Sequence, residues 1–514
     1  MQAKGVIIAG IIRLLPYFSI AVFLAVCWLF RPFVADDAFI VGRYALNAAD
    51  GLGLVYNAGE QVSALTSPLH ALFEVLLAQF TDDPVAAYRI IAPVFPVLGV
   101  IIARRIADLD PGESALFFVI ALTSPFMALW SVGGLETPML AGLAAVFGGQ
   151  VLAISRASVA QRRDIYLLAI FAGLMFLTRF DSVIVTLPVM LSLAVVCRGQ
   201  RDIWIGGVLA LMIALSWLVF SYVFYGDVFP TSAYLKLGQP DLPAKNNIMM
   251  VANFLVVSGL ILVLPMVRVS RSDTPIRRAL LVSVLIAGGL FVAYAFRASG
   301  QHMMFGYRFF VPYLPVFGMI ILAACGRWRH PLALGFLALN VLVVWVVASI
   351  GMNPAPFKRL VGVGPVRLEL VATTPSDYGV FITGLKQDAV DLRADWQAKD
   401  PDRAAKAFVY TGGIGYWLRD FYIYETLVSY RKNCERTTSL RIAASDYVQQ
   451  IGKDIVPVNP ALVGFFNARR DAATAAQIIP DRRIFLDRFD VIRYMAGPDP
   501  IAFKLPARIN GRCF

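Results

Sequence analysis

The chain has 514 residues, of which 58% are hydrophobic and 16% charged, and its mean hydropathy is +0.68. This is too apolar and too poor in charge for a soluble globular protein, and it points to a polytopic membrane protein. The net charge of +12 does not indicate nucleic acid, because Lys and Arg fall mostly in short clusters between hydrophobic spans, where they mark topology.

Lys4 and Arg13 lead into a long apolar run with no small-residue cleavage site, so the first helix is expected to be retained. A window of about 20 residues, with basic clusters on the cytoplasmic side, gives about 11 spans, a cytoplasmic N-terminus and an external C-terminus. Span 1, about 12–31, runs outward and delivers Asp36 and Asp37 to the outer face. External loop 1 then covers about 32–84 and is rich in Gly, Asn, Ser, Thr and Pro, the composition of an ordered loop. Within it, the run from Leu69 to Phe80 is apolar, but roughly 12 residues at 1.5 Å each cannot cross a 30 Å core. It is expected to lie on the outer surface as a juxtamembrane helix.

Span 2 (about 85–103) returns to Arg104 and Arg105, and span 3 (about 113–132) rises to Gly133-Gly134-Leu135-Glu136. Span 4 descends to Arg156, Arg162 and Arg163; span 5 rises to Arg179 and Asp181; span 6 descends to Arg198 and Arg201. Span 7 (about 203–225) rises to the loop from Tyr225 to Lys236, and span 8 falls to Arg268, Arg271, Arg277 and Arg278. Span 9 leads to a turn containing His302 and Arg308, span 10 to Arg327 and Arg329, and span 11 (about 331–350) exits outward. The fold class expected is a polytopic α-helical membrane domain over residues 1–351, followed by an extracytoplasmic α/β domain over 352–514. Strand-like runs at Lys406–Tyr410 and Asp490–Tyr494 and a polar helical stretch from Lys386 to Lys399 carry the second assignment.

Of the five cysteines, Cys27, Cys197 and Cys325 lie in or beside apolar spans and read as small hydrophobes. Cys434 and Cys513 are the two in the region expected outside, where oxidised thiols persist, and are a candidate disulfide; two unrelated free thiols are the alternative. No spacing of Cys and His suggests zinc.

The polar motifs converge on one side: the Asp36/Asp37 pair, Glu136, Arg179 with Asp181, the Tyr225–Lys236 loop and the His302–Arg308 turn. Adjacent carboxylates at a membrane surface are costly to desolvate, so their placement there asks for a function. A carboxylate can take the proton of a sugar hydroxyl while Lys and Arg neutralise a leaving phosphate, the two requirements of glycosyl transfer from a lipid phosphate. Simpler roles stay open at single residues. Glu136 can favour a helix N-terminus, Arg179 and Asp181 can pair with each other, and Lys236 and His302 can be an interfacial anchor and a turn residue.

Asp36-Asp37-Ala38-Phe39-Ile40 with Arg43-Tyr44, then Tyr56-Asn57 with Gly59-Glu60, and Thr66-Ser67-Pro68, resemble the first external loop of GT-C glycosyltransferases, in particular terminal arabinofuranosyltransferases of the AftB kind. Further signatures follow in the same order over about residues 1–350: Gly134-Leu135-Glu136-Thr137, Arg179 with Asp181, Tyr225-Gly226 with Pro230, Ser232 and Lys236, and Arg308 with Pro312 and Pro315. The resemblance implies transfer of a sugar, such as arabinofuranose, from a polyprenyl-phosphate donor to a cell-envelope glycan, glycolipid or protein on the periplasmic face of a bacterial inner membrane. It implies Asp36 and Asp37 at the catalytic centre, and Arg43, Tyr44, Glu136, Arg179, Asp181, Lys236, His302 and Arg308 around the donor phosphate or substrate. The external domain would help bind the acceptor. No cofactor is required by it, and a divalent cation is left open. The chain departs from relatives at Gly300-Gln301-His302, where an acid is common, and Gly412-Gly413-Ile414-Gly415-Tyr416 matches only loosely. Two other readings stand beside this one: a transferase of the same fold for mannose or aminoarabinose, and a transporter or flippase, which would need ionisable groups inside spans.

Overall fold

The computed structural model describes residues 2–157, 160–231, 233, 244–260, 275–298, 305–325, 329–352, 374–399, 406–409 and 412–425. Lys236, His302, Cys434, Cys513 and the strand-like run 490–494 lie outside these residues.

The membrane part is a succession of helices: α1 (Gln2–Phe30), α2 (Ala38–Ala49), α3 (Pro68–Ala78), α4 (Pro84–Ile91), α5 (Val94–Ile106), α6 (Pro111–Leu122), α7 (Pro125–Ser131), α8 (Thr137–Arg156), α9 (Arg162–Thr178), α10 (Val183–Val196), α11 (Arg201–Tyr225), α12 (Ala244–Val257), α13 (Pro275–Ala298), α14 (Leu314–Cys325) and α15 (Arg329–Ser349). Among the described residues, five stretches are long and apolar enough to cross a membrane: Gly10–Phe30, Pro84–Ile106, Thr137–Arg156, Arg201–Tyr225 and Arg329–Ser349. The pair α6 and α7, bent by 58°, makes a sixth if it is one span. Pro125 causes the bend, since it gives up a backbone donor and pushes Ser124 out of helical conformation (ψ 125°). Helices α9, α10, α12, α13 and α14 stand where further spans were expected, but α9, α10 and α14 have 17, 14 and 12 residues, short for a hydrocarbon core of about 30 Å. Length and apolarity therefore do not reach the expected count of about 11 among the described residues.

Packing centres on α6 and α8. Nearly all of α6 is buried, against α1, α14 and α15, while α8 packs on α5, α9 and α14. The α5–α8 crossing is close enough that a Cβ on Gly99 would stand 2.4 Å from the Gly142 carbonyl oxygen, the near approach of backbones that small residues permit. Outward faces are apolar; on α11, Trp204, Leu211, Val219 and Val223 are all exposed, as a lipid-facing wall requires. The juxtamembrane candidate is α3, 11 residues long, with Leu72 and Leu76 exposed and His70 and Glu74 buried.

The two ends of the bundle differ in chemistry. At the Arg156 end of α8, Glu113 pairs with Arg156 (2.6 Å) and Arg329 (3.1 Å), and Asp110 caps α6 while pairing with Arg329 (2.7 Å). The opposite end of α8 begins at Glu136. After residue 374 come α16 (Pro375–Lys399), β1 (Lys406–Val409), α17 (Gly412–Trp417) and β2 (Tyr422–Glu425). The two strands pair in parallel, Lys406 opposite Tyr422 and Val409 opposite Glu425. The expected strand at 406–410 and helix over 386–399 are thus present.

Candidate active site

The connection 31–37 between α1 and α2 brings the two aspartates beside the connection 132–136 ahead of α8. Ala35 donates its N–H to the Gly133 carbonyl at 2.8 Å. Arg89, on α4, joins the two loops: Nε donates to Val132 O (2.7 Å), and Nη2 to Arg31 O (2.6 Å) and Phe33 O (2.8 Å). Gly134, at φ +79°, turns the chain in the left-handed region that glycine adopts without strain, and Glu136 follows it.

Glu136 is almost wholly buried, and as the N-cap residue of α8 it makes no capping hydrogen bond. Its carboxylate is instead held between two arginines. Arg308 donates through Nη2 to Oε1 and Oε2 at 3.1 and 3.2 Å, and Arg179 through Nη1 to Oε1 at 3.0 Å. Arg179 also donates to both Asp181 oxygens, through Nε (2.9 Å) and Nη2 (2.5 Å). Arg308 reaches on through Nη1 to Asp37 Oδ2 at 3.4 Å. The result is one chain of charges, Asp37–Arg308–Glu136–Arg179–Asp181, with three carboxylates and two guanidiniums.

Burial would raise the Glu136 carboxyl, but Arg308 and Arg179 hold it down at about 2. Burial would lower the Arg179 guanidinium, and Asp181 with Glu136 raises it above its usual value. Aromatic faces support both cations, Phe309 under Arg179 at 4.5 Å and Trp130 under Arg308 at 5.5 Å. The turn that presents Arg308 has Tyr307 at φ +54°, rare for an aromatic residue, buried against Phe126 and Phe254 and tied down where Trp130 Nε1 donates to Gly306 O (2.9 Å).

Of the residues singled out in the sequence, Asp36, Asp37, Glu136, Arg179, Asp181 and Arg308 come together. The Tyr225 loop joins the connection 50–67 between α2 and α3, with Tyr225 donating to Leu54 O (2.7 Å) and Thr231 N to Ser63 O (2.8 Å). Arg43 and Tyr44 have other partners. Arg43 is buried, and its five N–H donors go to Tyr56 O, Gly415 O, Leu418 O, Asn57 Oδ1 and Phe421 O, which leaves none for a phosphate in this conformation. Tyr44 donates to Val62 O (2.7 Å) and accepts from Ala64 N (3.1 Å), bracing the loop.

Asp36 faces the C-terminal elements: the Gly413 N–H donates to its Oδ1 at 2.9 Å. Tyr378 of α16 lies close to both aspartates; burial, then Asp36 and Asp37, raise its hydroxyl above the usual tyrosine value, and its ring packs on Phe33 at 5.3 Å. The sequence reading missed Arg89, Trp130 and Tyr378. The available signal for Arg89 was an arginine inside an apolar span, which must be partnered. Among the described residues no group of three His, Cys, Asp or Glu is placed to hold a metal ion.

No protein-family model matches the chain, and no curated protein matches it by sequence. Solved structures do match. The crystal structure of ArnT from Cupriavidus metallidurans bound to undecaprenyl phosphate aligns over 79% of this chain and 85% of that one, with TM-score 0.54 and 16% identity. The same protein in the apo state aligns over 94% and 95%, with TM-score 0.52 and 15% identity. The likeness is one of fold. Fold and site define a polytopic helical membrane protein with an arginine-bridged acidic site at one end of its bundle.

Proposed function

We propose that the chain is an integral-membrane glycosyltransferase that moves a sugar from a polyprenyl-phosphate donor to a cell-envelope glycan, glycolipid or protein at the periplasmic face of a bacterial inner membrane. The carrying observation is the arginine-bridged chain of carboxylates beside Asp36. It supports general-base chemistry next to cations able to meet a leaving phosphate. A fold shared with a protein crystallised with undecaprenyl phosphate supports a polyprenyl-phosphate donor.

In this reading the acceptor hydroxyl gives its proton to Asp36 or Asp37 as its oxygen attacks the anomeric carbon, and the sugar–phosphate bond breaks with its electrons on the phosphate. Arg308 stands at the half-exposed end of the charge chain, 3.4 Å from Asp37, and would stabilise that phosphate. Lys236 and His302 are retained as donor-side candidates on the sequence resemblance, and the arabinofuranosyl assignment rests there too. The external α/β domain over 352–514 would receive the acceptor. The ion-paired groups of the site, Glu136, Arg179, Asp181 and Arg308, stand at helix ends or in connections, which favours a transferase over a transporter.

Incubating the purified protein with radiolabelled polyprenyl-phosphate sugars tests the proposal. Transfer or donor hydrolysis with an arabinofuranosyl donor supports the full reading, and turnover of a mannosyl or aminoarabinosyl donor alone would reassign the sugar. Inertness toward every polyprenyl-phosphate sugar would refute it.

A further inference from the structure

The neighbouring aspartates are held in different ways. Asp37, half-exposed, meets the guanidinium of Arg308. Asp36 accepts the Gly413 backbone N–H, across 377 residues of sequence. A backbone N–H that is itself fixed in place orients a carboxylate for proton transfer.

The donor is itself fixed from outside the site. Arg43 takes the carbonyls of Gly415, Leu418 and Phe421. Asn57 exchanges two bonds with Ile423, donating to its O at 2.9 Å and accepting from its N at 3.0 Å. Phe39, on the same helix as Arg43, packs against Tyr416 and Trp417 at 5.3 and 4.7 Å, and Tyr416 donates to Asp83 at 3.0 Å. A donor set in place by contacts that do not involve the reacting group is what preorganisation requires. The space around it is tight, since a Cβ on Gly413 would stand 3.0 Å from Trp417 and 3.3 Å from Asp36 Oδ1.

We propose that the backbone N–H of Gly413 is a positioning group that orients Asp36, of the two aspartates, as the base, so that the C-terminal segment completes the catalytic centre. This rests on the glycosyl-transfer reading above. Asp36 takes the acceptor proton, the new bond forms from the acceptor oxygen to the anomeric carbon, and the phosphate departs with the electrons of the broken bond. Gly413 takes no part in the bond changes.

The test uses the full chain with a polyprenyl-phosphate sugar donor. Gly413→Pro removes the N–H at the second residue of α17, in the first turn, where a prolyl ring is accommodated, whereas Gly413→Ala keeps the N–H. Gly413→Pro is expected to lower kcat by about 10-fold or more with little change in donor KM. It should also move the acid limb of the kcat profile to higher pH by about one unit, because the carboxylate loses a donor that favours its ionised form. Gly413→Ala should leave that limb in place, and Gly413→Pro should add no loss in an Asp36→Asn background. An unmoved acid limb, or an undiminished further loss in that background, overturns the proposal.

A second readout needs neither turnover nor a folded proline variant. Hydrogen exchange over residues 412–418 should accelerate by about 10-fold in Asp36→Ala and stay unchanged in Asp37→Ala. Unchanged exchange in Asp36→Ala overturns the contact itself. Full transfer by Asp36→Asn, with accelerated exchange in Asp36→Ala, would show instead that the contact exists and that the reading of Asp36 as base is what fails.

Discussion

The guanidinium of Arg308 lies against both carboxylate oxygens of Glu136, at 3.1 and 3.2 Å, while its other terminal nitrogen reaches Asp37. Glu136 therefore anchors the cation nearest the aspartate pair. Removing one partner of a buried ion pair costs about 3–5 kcal/mol, because the remaining charge stays desolvated. Glu136→Gln is expected to lower thermal stability by that order and to reduce transfer, with Arg308 no longer held. A variant with wild-type melting temperature and turnover would remove Glu136 from the centre of the site.

The same pair fixes a pH dependence. The Glu136 carboxyl is held at about 2 against an unperturbed 4.5, so its stabilisation is fully present above the unfolded value and is lost as pH falls through the folded one. The difference in melting temperature between wild type and Glu136→Gln should be constant from about pH 6 to pH 8 and narrow below about pH 4.5. A difference that changed across neutral pH would assign the effect to another group.

At the aspartate pair, Asp36→Asn, which removes the proposed base, and Asp37→Asn, which removes a partner of Arg308, are each expected to lower transfer by about 10²-fold or more while the protein stays folded. Turnover with labelled donor and size-exclusion behaviour in detergent check the two halves of the statement. Both variants retaining near wild-type turnover would end the assignment.

Arg43→Lys tests the tie between the connection 50–67 and the segment 412–425. Lysine offers three donors where arginine offers five, so buried carbonyls lose partners at about 1–3 kcal/mol each. Limited proteolysis should cut more readily after residue 400, and donor KM should change little, since no Arg43 donor is free for the phosphate. A selective rise in donor KM with unchanged proteolysis would return Arg43 to the donor site.

How much was legible follows from where each signal lies. The helices and the charge-bearing ends were readable because apolar runs, prolines and basic clusters are local. Glu136, Arg179, Asp181 and Arg308 stood out as charges beside spans. The pairing of Arg179 with Asp181 was readable because it is local, whereas Glu136 lies 43 residues from Arg179 and 172 from Arg308, so its pairing with them was not. Arg43 and Asn57 show the same limit more sharply: their partners around Gly415 and Ile423 are over 360 residues away, and a conspicuous arginine beside an aspartate pair looks the same whether it holds a phosphate or a loop. Arg89 was hidden in an apolar span. The α6–α7 bend could have been found from Ser124-Pro125, a local signal given too little weight against the hydropathy of the whole stretch.

Topology is the next expectation. Asp37→Cys and Lys236→Cys should label with a membrane-impermeant thiol reagent in intact cells, and Arg105→Cys and Arg201→Cys only after permeabilisation, since basic clusters mark the cytoplasmic side. Asp37 and Lys236 on opposite faces would break the composite site.

The last expectation concerns Cys434 and Cys513, which lie outside the described residues. If the region after residue 352 is extracytoplasmic, these two thiols share an oxidising compartment, with no third cysteine there. Their pairing would close a loop of roughly 80 residues, which in the chain-entropy model removes enough unfolded-state freedom to stabilise by about 4 kcal/mol. The geometry required is a Cα separation under about 7 Å. Non-reducing mass spectrometry of protein purified without reductant should show the Cys434–Cys513 peptide pair, and reduction should lower the melting temperature. A free, alkylatable Cys513 in that material would exclude the disulfide.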